Sequence, residues 1–580
     1  MGQSVRINNL FQRILDLLFF RLDATKYLVQ QTPSIDTAGK LSDFLYYLQT
    51  ILNLVTYSTV NIWASLAGPI NSASLMEDLP PGKMGSGEGE PRVSNQVYLS
   101  HVCMRILKVA RQEPDDIHEG ISTLRQTSVL LLQQMLSGPP AAVIVEMSLD
   151  EHLIEMLSWS VDQADLMLQV PLMDLILTFL KKQSAKRDAA SNMQRRTSSR
   201  ETMRSPSQIS LSTDRSEKDP LTSEQWAPPQ GLLDCLILGI SSPNCHPILE
   251  HWIHLLEECL PFFTGNAFQT IMPLVDCFSK SIESVFQGLR AVFEGNSSGR
   301  PSTGESITIL NALLNGLEQV LARAHARLIQ EEGHVAPLRS PEQPQGFFGN
   351  MVSGVFAPEA QKSRSASANN RLTVLLCFKD AVRVSFSMWS WGDVGLGTSP
   401  RDTAASASFN YTSLRLRNRT RRILEHLFAV EALECLETLV EFWQGAELSG
   451  GLAQSNTVFN LLHALEASRP KNTIPALFNA IYSRTNPNVL DPMRKSTLTS
   501  DLSDVSLTTC LLAYTKSMED DALDEIWTDC MTFLRDVLGN PLPHRQTIPL
   551  LLVFTAILGE KIDNTNFGEQ RKMRRDIGVS

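Results

Sequence analysis

No two cysteines of this chain stand in a CxxC pair. The nine fall singly at 103, 235, 245, 259, 277, 377, 435, 510 and 530, an odd number, most of them in apolar helical stretches. That scatter excludes a disulfide framework or a zinc ribbon and predicts reduced, buried thiols in a cytosolic chain. Nor is there an apolar run near the ~18 residues a membrane span takes. The longest is Leu550-Leu-Leu-Val-Phe-Thr-Ala-Ile-Leu558, so any membrane contact is expected at the surface or through a partner. Positive charge is not in excess: the formal net charge is −11, which argues against a general nucleic-acid binder. The segment Met1–Arg6 has no secretory apolar core, and Arg6 stands where a myristoylation signal wants Ser or Thr. The sequons at Asn296, Asn410 and Asn418 are then chance matches.

Catalytic patterns are equally scarce. Gly85-Ser-Gly-Glu-Gly89 follows no strand and precedes no Lys-Ser or Lys-Thr, so it reads as a linker and not a phosphate loop. Gly295-Asn-Ser297-Ser-Gly299 spells G-x-S-x-G, but a nucleophile elbow needs a strand before it. Here a helix signal precedes and a Pro/Ser/Gly loop follows, closing in a capping box, Ser302-x-x-Glu305. Cys245, His246, His251, His254 and Cys259 crowd together, yet Ile248, Trp252, Leu255 and Cys259 share the apolar side of one helix. His251 and His254 fall opposite with Glu257 and Glu258, a solvated face and not a zinc site. The acids of 519–525 suit a first helical turn better than a metal. The expectation is therefore no enzyme, no cofactor, no metal and no small-molecule substrate.

What the chain does have is helix after helix with one wide apolar face. Hydrophobic residues make up 43%, enough for a sizeable core, and Val/Thr alternation is rare. The fold class expected is all-α, an irregular HEAT- or armadillo-like solenoid interrupted by long disordered loops. The organisation read from composition is a helical array over 1–180 with a loop at about 68–94, then a disordered Ser/Arg-rich linker at 181–228. A second array covers 229–332, a low-order loop 333–370 holds an apolar island at 347–356, and a third array covers 371–576.

The linker carries ten basic residues against four acidic between 181 and 218. Thr197, Ser198, Ser199 and Ser205 sit in kinase-type contexts there, and phosphates on them would erase the local positive patch. The island offers Phe347, Phe348, Val352 and Phe356 as interaction residues, or as a plug folding back on the array. A run of five arginines, Arg415, Arg417, Arg419, Arg421 and Arg422, opens a helix that turns acidic further on. Acids are the residues favoured at a helix start, so these arginines read either as a contact for phosphate-bearing surfaces, lipid headgroups included, or as a solvated basic face.

The densest apolar helix signal runs from Arg371 to Gly392. Leu375, Phe378, Val382, Phe386 and Trp389 form one stripe, flanked by Leu372 and Val384, with Lys379 and Arg383 placed on the other side. That is a core pattern. This stretch, with Gly346–Phe356 before it and Asn566-Phe-Gly-Glu-Gln-Arg-Lys-Met-Arg-Arg575 near the end, resembles the later part of Dopey family proteins. Phe378, Phe386, Trp389 and Trp391 are its signature core. The resemblance is specific over roughly 340–400 and 565–575, and elsewhere is one of helical pattern. The Ser-rich inserts suggest a fungal member. Family members are much longer, so an interior or later part of a longer protein is expected.

The resemblance implies a large cytoplasmic scaffold, peripheral on Golgi and endosomal membranes, serving vesicle-mediated transport and linked in fungi to polarity and morphogenesis. It implies protein partners: a large scaffold related to Arf exchange factors, and an aminophospholipid flippase. Whether the membrane is met directly, through 181–218 and 415–422, or through those partners is left open by the residues.

Overall fold

The structure, a computed structural model, describes residues 37–57, 60–68, 94–108, 118–139, 141–201, 228–263, 267–294, 303–335, 358–394, 403–449, 452–491, 494–564 and 573–575. Among them, only Ser94 lies in a β-bridge and no strand forms. The all-α expectation holds. Residues 1–36 of the first expected array, the glycine run at 85–89, the island residues Phe347, Phe348, Val352 and Phe356, and Ser205 all lie outside the described residues.

The chain forms two compact units, Met1–Asn266 and Ala267–Ser580. In the first, α1 (Thr37–Thr56), α2 (Val60–Ala67), α3 (Asn95–Lys108), α4 (His118–Ser137) and α5 (Ala141–Glu146) lead to α6 (Asp150–Asp162) and α7 (Leu166–Glu201). Then come α8 (Leu232–Ser241), a 3-10 turn at Pro243–Ile248, and α9 (Leu249–Cys259).

The core of this unit gathers around α7, which packs on α4, α6 and α9. Its Leu168, Leu172, Leu175, Phe179 and Leu180 are fully buried. Trp252 of α9 is fully buried too, and its indole Nε1 donates to Gln169 Oε1 at 3.2 Å. That glutamine accepts from the Cys245 thiol and donates to the Ser160 carbonyl, so three elements share one buried amide. Gly239 is required here, because a Cβ at that position would overlap the Trp252 ring.

Two boundaries differ from expectation. The linker expected to be disordered from 181 is helical as far as Glu201, because Lys, Gln, Ala, Arg and Met are good helix formers and no Pro or Gly interrupts them. Lys181 and Lys186 also reach Glu258 and Glu146. Low hydrophobicity marks an exposed helix here as readily as a coil. Similarly, the segment expected to stay low-order until 370 is already helical from Pro358, a residue suited to a first helical position. The division between units falls at 266/267 and not in the 181–228 linker, since α8 and α9 pack back onto α6 and α7.

The second unit runs α10 (Ala267–Phe293), α11 (Thr303–Val335), α12 (Pro358–Val394), α13 (Thr403–Leu448), α14 (Leu452–Ala464), α15 (Pro470–Thr485), α16 (Asp504–Ser517), α17 (Leu523–Gly539) and α18 (Ile548–Asn564). Helices pack on their chain neighbours and next-neighbours: α10 on α11 and α12, α12 on α13, α13 on α14 and α15, α15 on α16 and α17, α16 on α18. This is the packing of a tandem helix array, in which each helix buries its stripe against the ones beside it in sequence. No single helix among the described residues is long and apolar enough to cross a membrane.

Helix ends follow local chemistry. Ser503 caps α16, its hydroxyl accepting from the Ser506 amide at 3.0 Å. Asp524 and Glu525 fall in the first turn of α17, and Asp520 just before it takes the ammonium of buried Lys561 at 2.7 Å. Ser503→Ala is expected to cost about 1 kcal/mol, read as a lowered urea midpoint with earlier hydrogen exchange at the start of α16. An unchanged exchange pattern there would sink the assignment.

Candidate functional site

The apolar stripe of α12 is core. Leu375, Phe378, Val382, Phe386 and Trp389 are all buried, while Leu372 and Val384 are half-buried. Lys379 departs from expectation: it is only 2% exposed and lies within 3.8 Å of Glu434 on α13, hydrogen-bonded to Thr499. Arg383 does lie outward, between Asp380 and Glu441. Trp391 inserts edgewise among Phe286, Phe293 and Phe409, with ring centroids 4.9–5.7 Å apart. The signature aromatics therefore hold α10, α12 and α13 together.

The five arginines sit on the first half of α13, and helical geometry separates them. At 100° per residue, Arg415, Arg421 and Arg422 fall within an exposed arc of about 120°. Tyr411, Leu414 and Asn418 are exposed in the same arc. Arg417 and Arg419 fall at the two edges of the buried side and are spent there. The Arg417 guanidinium lies 4.3 Å over the Trp389 ring. Arg419 donates to Glu318 at 2.6 Å and to Asn315 at 2.7 Å, and His426 also meets Glu318. Burial pushes the Glu318 carboxyl up, but Arg419 and His426 outweigh it and hold it below the usual range. The side chains of Arg415, Arg421 and Arg422 make no hydrogen bond or ion pair among the described residues. Tyr411 is 66% exposed and Leu414 59% exposed beside them. This is a cationic face with an aromatic and an aliphatic side chain at its margin, the composition of a surface that meets a polar–apolar boundary.

The remaining candidates are placed as follows. Thr197, Ser198 and Ser199 have helical backbone in the last turns of α7. Ser297 lies outside the described residues, between a helix ending at Phe293 and one starting at Thr303. His251 and His254 are exposed, whereas Cys245 and Cys259 are buried on the opposite side. Burial lifts the Cys259 thiol to about 12, so it stays protonated.

Sequence reasoning missed a buried ionic network at the far end of the same helices. Glu437 is fully buried and takes both Arg484 amino groups, at 2.8 and 3.1 Å, with the Ser500 hydroxyl at 2.7 Å. Arg484 also donates to the Leu502 carbonyl. One turn earlier, Glu434 accepts from the Thr497 amide and hydroxyl. These bonds fix the irregular stretch between α15 and α16 onto α13. Burial pushes the Glu434 carboxyl up and is not overcome. Burial acts the same way on Glu437, but Arg484 and two serines outweigh it and the carboxyl is held low. The available signal was two acids spaced i, i+3 inside the apolar run Ala432-Leu-Glu-Cys-Leu-Glu-Thr-Leu-Val440.

The fold and this distribution of charge define an all-α protein of tandemly packed helices, with many ionic groups spent on fixing helices and a cationic face on α13 without partners among the described residues. Comparison with known proteins identifies the lineage. Residues 510–579 match the profile described as DOP1 C-terminal. The protein called Protein dop1 of Emericella nidulans is 48% identical over 538 residues, covering 92% of this chain and 28% of that protein. Protein DOP1 of Saccharomyces cerevisiae is 25% identical over 360 residues, covering 60% of this chain and 20% of its own length. The chain belongs to the Dopey family, and it spans less than a third of the length of these fungal relatives. A solved circular tandem repeat protein with enhanced subunit contact surfaces aligns over 97% of this chain and 98% of its own, at 10% identity. Its TM-score of 0.21 is too low to bear on the fold.

Proposed function

We propose that this chain is part of a non-catalytic scaffold that works on Golgi and endosomal membranes in vesicle-mediated transport, with a role in polarity and morphogenesis. What carries the reading is kinship with fungal Dop1 proteins along nearly the whole chain. The helical arrays support it, since stacked helices present long surfaces to which other proteins bind. In this reading its partners are a large scaffold related to Arf exchange factors and an aminophospholipid flippase, and it is cytoplasmic and peripheral. The test is fractionation of fungal cells carrying the tagged protein, followed by capture with each tagged partner. Co-sedimentation with Golgi and endosomal membranes and recovery of either partner is expected. A protein found wholly in the supernatant and captured by neither would overturn the reading.

A second reading, a membrane adaptor binding anionic lipid directly, is favoured by one observation: the side chains of Arg415, Arg421 and Arg422 have no partner among the described residues and lie beside exposed Tyr411 and Leu414. Each arginine near an anionic surface is worth about 1 kcal/mol, so replacing all three with Gln removes about 3 kcal/mol, over a hundredfold in binding. Sedimentation with phosphatidylserine vesicles reads this directly. Binding that ignores both salt and the triple replacement would sink it.

A further inference from the structure

Helix α13 is not continuous. At Glu431 the backbone leaves helical values, φ −138° and ψ 68°, and a new helical segment begins at Ala432. Beside this break lies a cavity of about 610 Å³. Four pieces of chain wall it: the break itself, Arg371 of α12, the start of α15 with Lys471 and Asn472 together with Ala467 just before it, and the stretch carrying Arg494 and Lys495. The buried network described above fixes this last wall, because Glu434 and Glu437 hold residues 497 and 500 just beyond it.

The charges on the wall do not balance. Its carboxylates, Glu431 and Glu434, are already engaged: Arg371 grips Glu431 with bonds of 3.1 and 3.2 Å, and Glu434 serves Thr497 and Lys379. The side chains of Lys471, Arg494 and Lys495 have no hydrogen bond or ion pair among the described residues. Two helical segments start at this cavity, one after Glu431 and one at Pro470, and each adds the positive end of its dipole. Three free cations gathered in one concavity repel one another until an anion joins them. The volume is that of a small-molecule site, several times larger than one phosphate needs. Small side chains, Ala432, Ala467 and Ala476, contribute to the wall and leave that room.

We propose that this cavity binds a multiply phosphorylated small molecule, held by Lys471, Arg494 and Lys495. The same chemistry exists as a free polyphosphate and as the headgroup of a phosphorylated lipid. The proposal stands apart from the scaffold and adaptor readings, as it rests on other residues than the arginine face.

The probe is inositol hexakisphosphate, titrated calorimetrically into the full chain. Saturable one-to-one binding is expected. Replacing Lys471, Arg494 and Lys495 with Gln weakens it at least about tenfold, by removing the charge-assisted bonds. Lys471 and Arg494 are exposed and Lys495 is half-buried, so the helical circular dichroism spectrum should stay unchanged. Replacing Arg415, Arg421 and Arg422 with Gln leaves the binding intact. Vesicles of phosphatidylcholine with phosphatidylinositol bisphosphate separate the two sources. If they bind through the same three residues and inositol hexakisphosphate displaces them, the lipid headgroup is a ligand. If only the soluble compound binds, the ligand is a free polyphosphate. No saturable binding by either probe, or binding that the cavity replacements leave unchanged, overturns the proposal. A phosphopeptide that binds this cavity while inositol hexakisphosphate does not would overturn it as well.

Discussion

Arg484→Met will lower the stability of the second unit by about 3–5 kcal/mol, because it strands a buried carboxylate. Glu437 is fully buried, and Arg484 supplies two of its three close donors. Without them, Glu437 keeps its desolvation and loses its counter-charge. The companion replacement Glu437→Leu in the same chain removes the stranded charge and is expected to recover much of the loss. Urea midpoints of the single and double variants measure both effects. A single variant within 1 kcal/mol of the parent would show that the pair is not what fixes this region.

The pH dependence follows with a definite sign. Glu437 is held below its unfolded value, so its stabilisation is complete above the ordinary glutamate pKa of about 4.3 and is lost as pH falls through the lower folded value. In Arg484→Met the burial is no longer opposed, and the carboxyl moves upward. Protonation then relieves the stranded charge, so the variant's deficit against the parent narrows on acidification. Glu434 contributes in the opposite direction in the parent: its raised pKa means its ionised form costs stability near neutrality, a cost that lessens as pH falls. A deficit that stays constant with pH would contradict the assignment of Glu437 as the ionised partner.

Trp252→Ala is the second large effect, about 3–5 kcal/mol in the first unit. The indole fills the space between α7, α8 and α9, and its loss leaves a cavity that these helices cannot fully close. It also removes a donor from Gln169, which is itself fully buried. Hydrogen exchange over α8 and α9 should accelerate before that over α3 and α4. The reciprocal test is Gly239→Ala. Alanine favours a helix over glycine by about 1 kcal/mol, yet its methyl would overlap the Trp252 ring and cost about 1–3 kcal/mol. The net sign is destabilising. A stabilised Gly239→Ala would show that the ring can shift freely.

Periodicity carried much of this fold in plain view. The α12 stripe from Leu375 to Trp389 is buried residue for residue, and the Trp252 side of α9 is buried with His251 and His254 opposite. Other features were hidden for physical reasons. Residues 181–201 look like coil by hydrophobicity, but helix formation there depends on backbone propensity and on Lys181 and Lys186 finding acids distant in sequence. Lys379 looked solvated because its partner, Glu434, comes 55 positions later (434 − 379). The break at Glu431 carries no Pro or Gly to announce it. The cavity beside it needs four segments to meet, and no one of them shows a binding pattern alone.

The division of the arginine run has a consequence for how the protein should respond to ions. Counted along the sequence, Arg415 to Arg422 offers five charges to a polyanionic surface. Counted on the folded helix it offers three, since Arg417 is committed to an indole and Arg419 to a carboxylate. Binding of polyanions releases roughly one condensed counterion for each charge engaged. A logarithmic plot of affinity against salt concentration should therefore have a slope nearer three than five. Heating or acid that frees Arg417 and Arg419 would steepen it. The salt slope thus reports on whether this face is folded as well as on whether it binds.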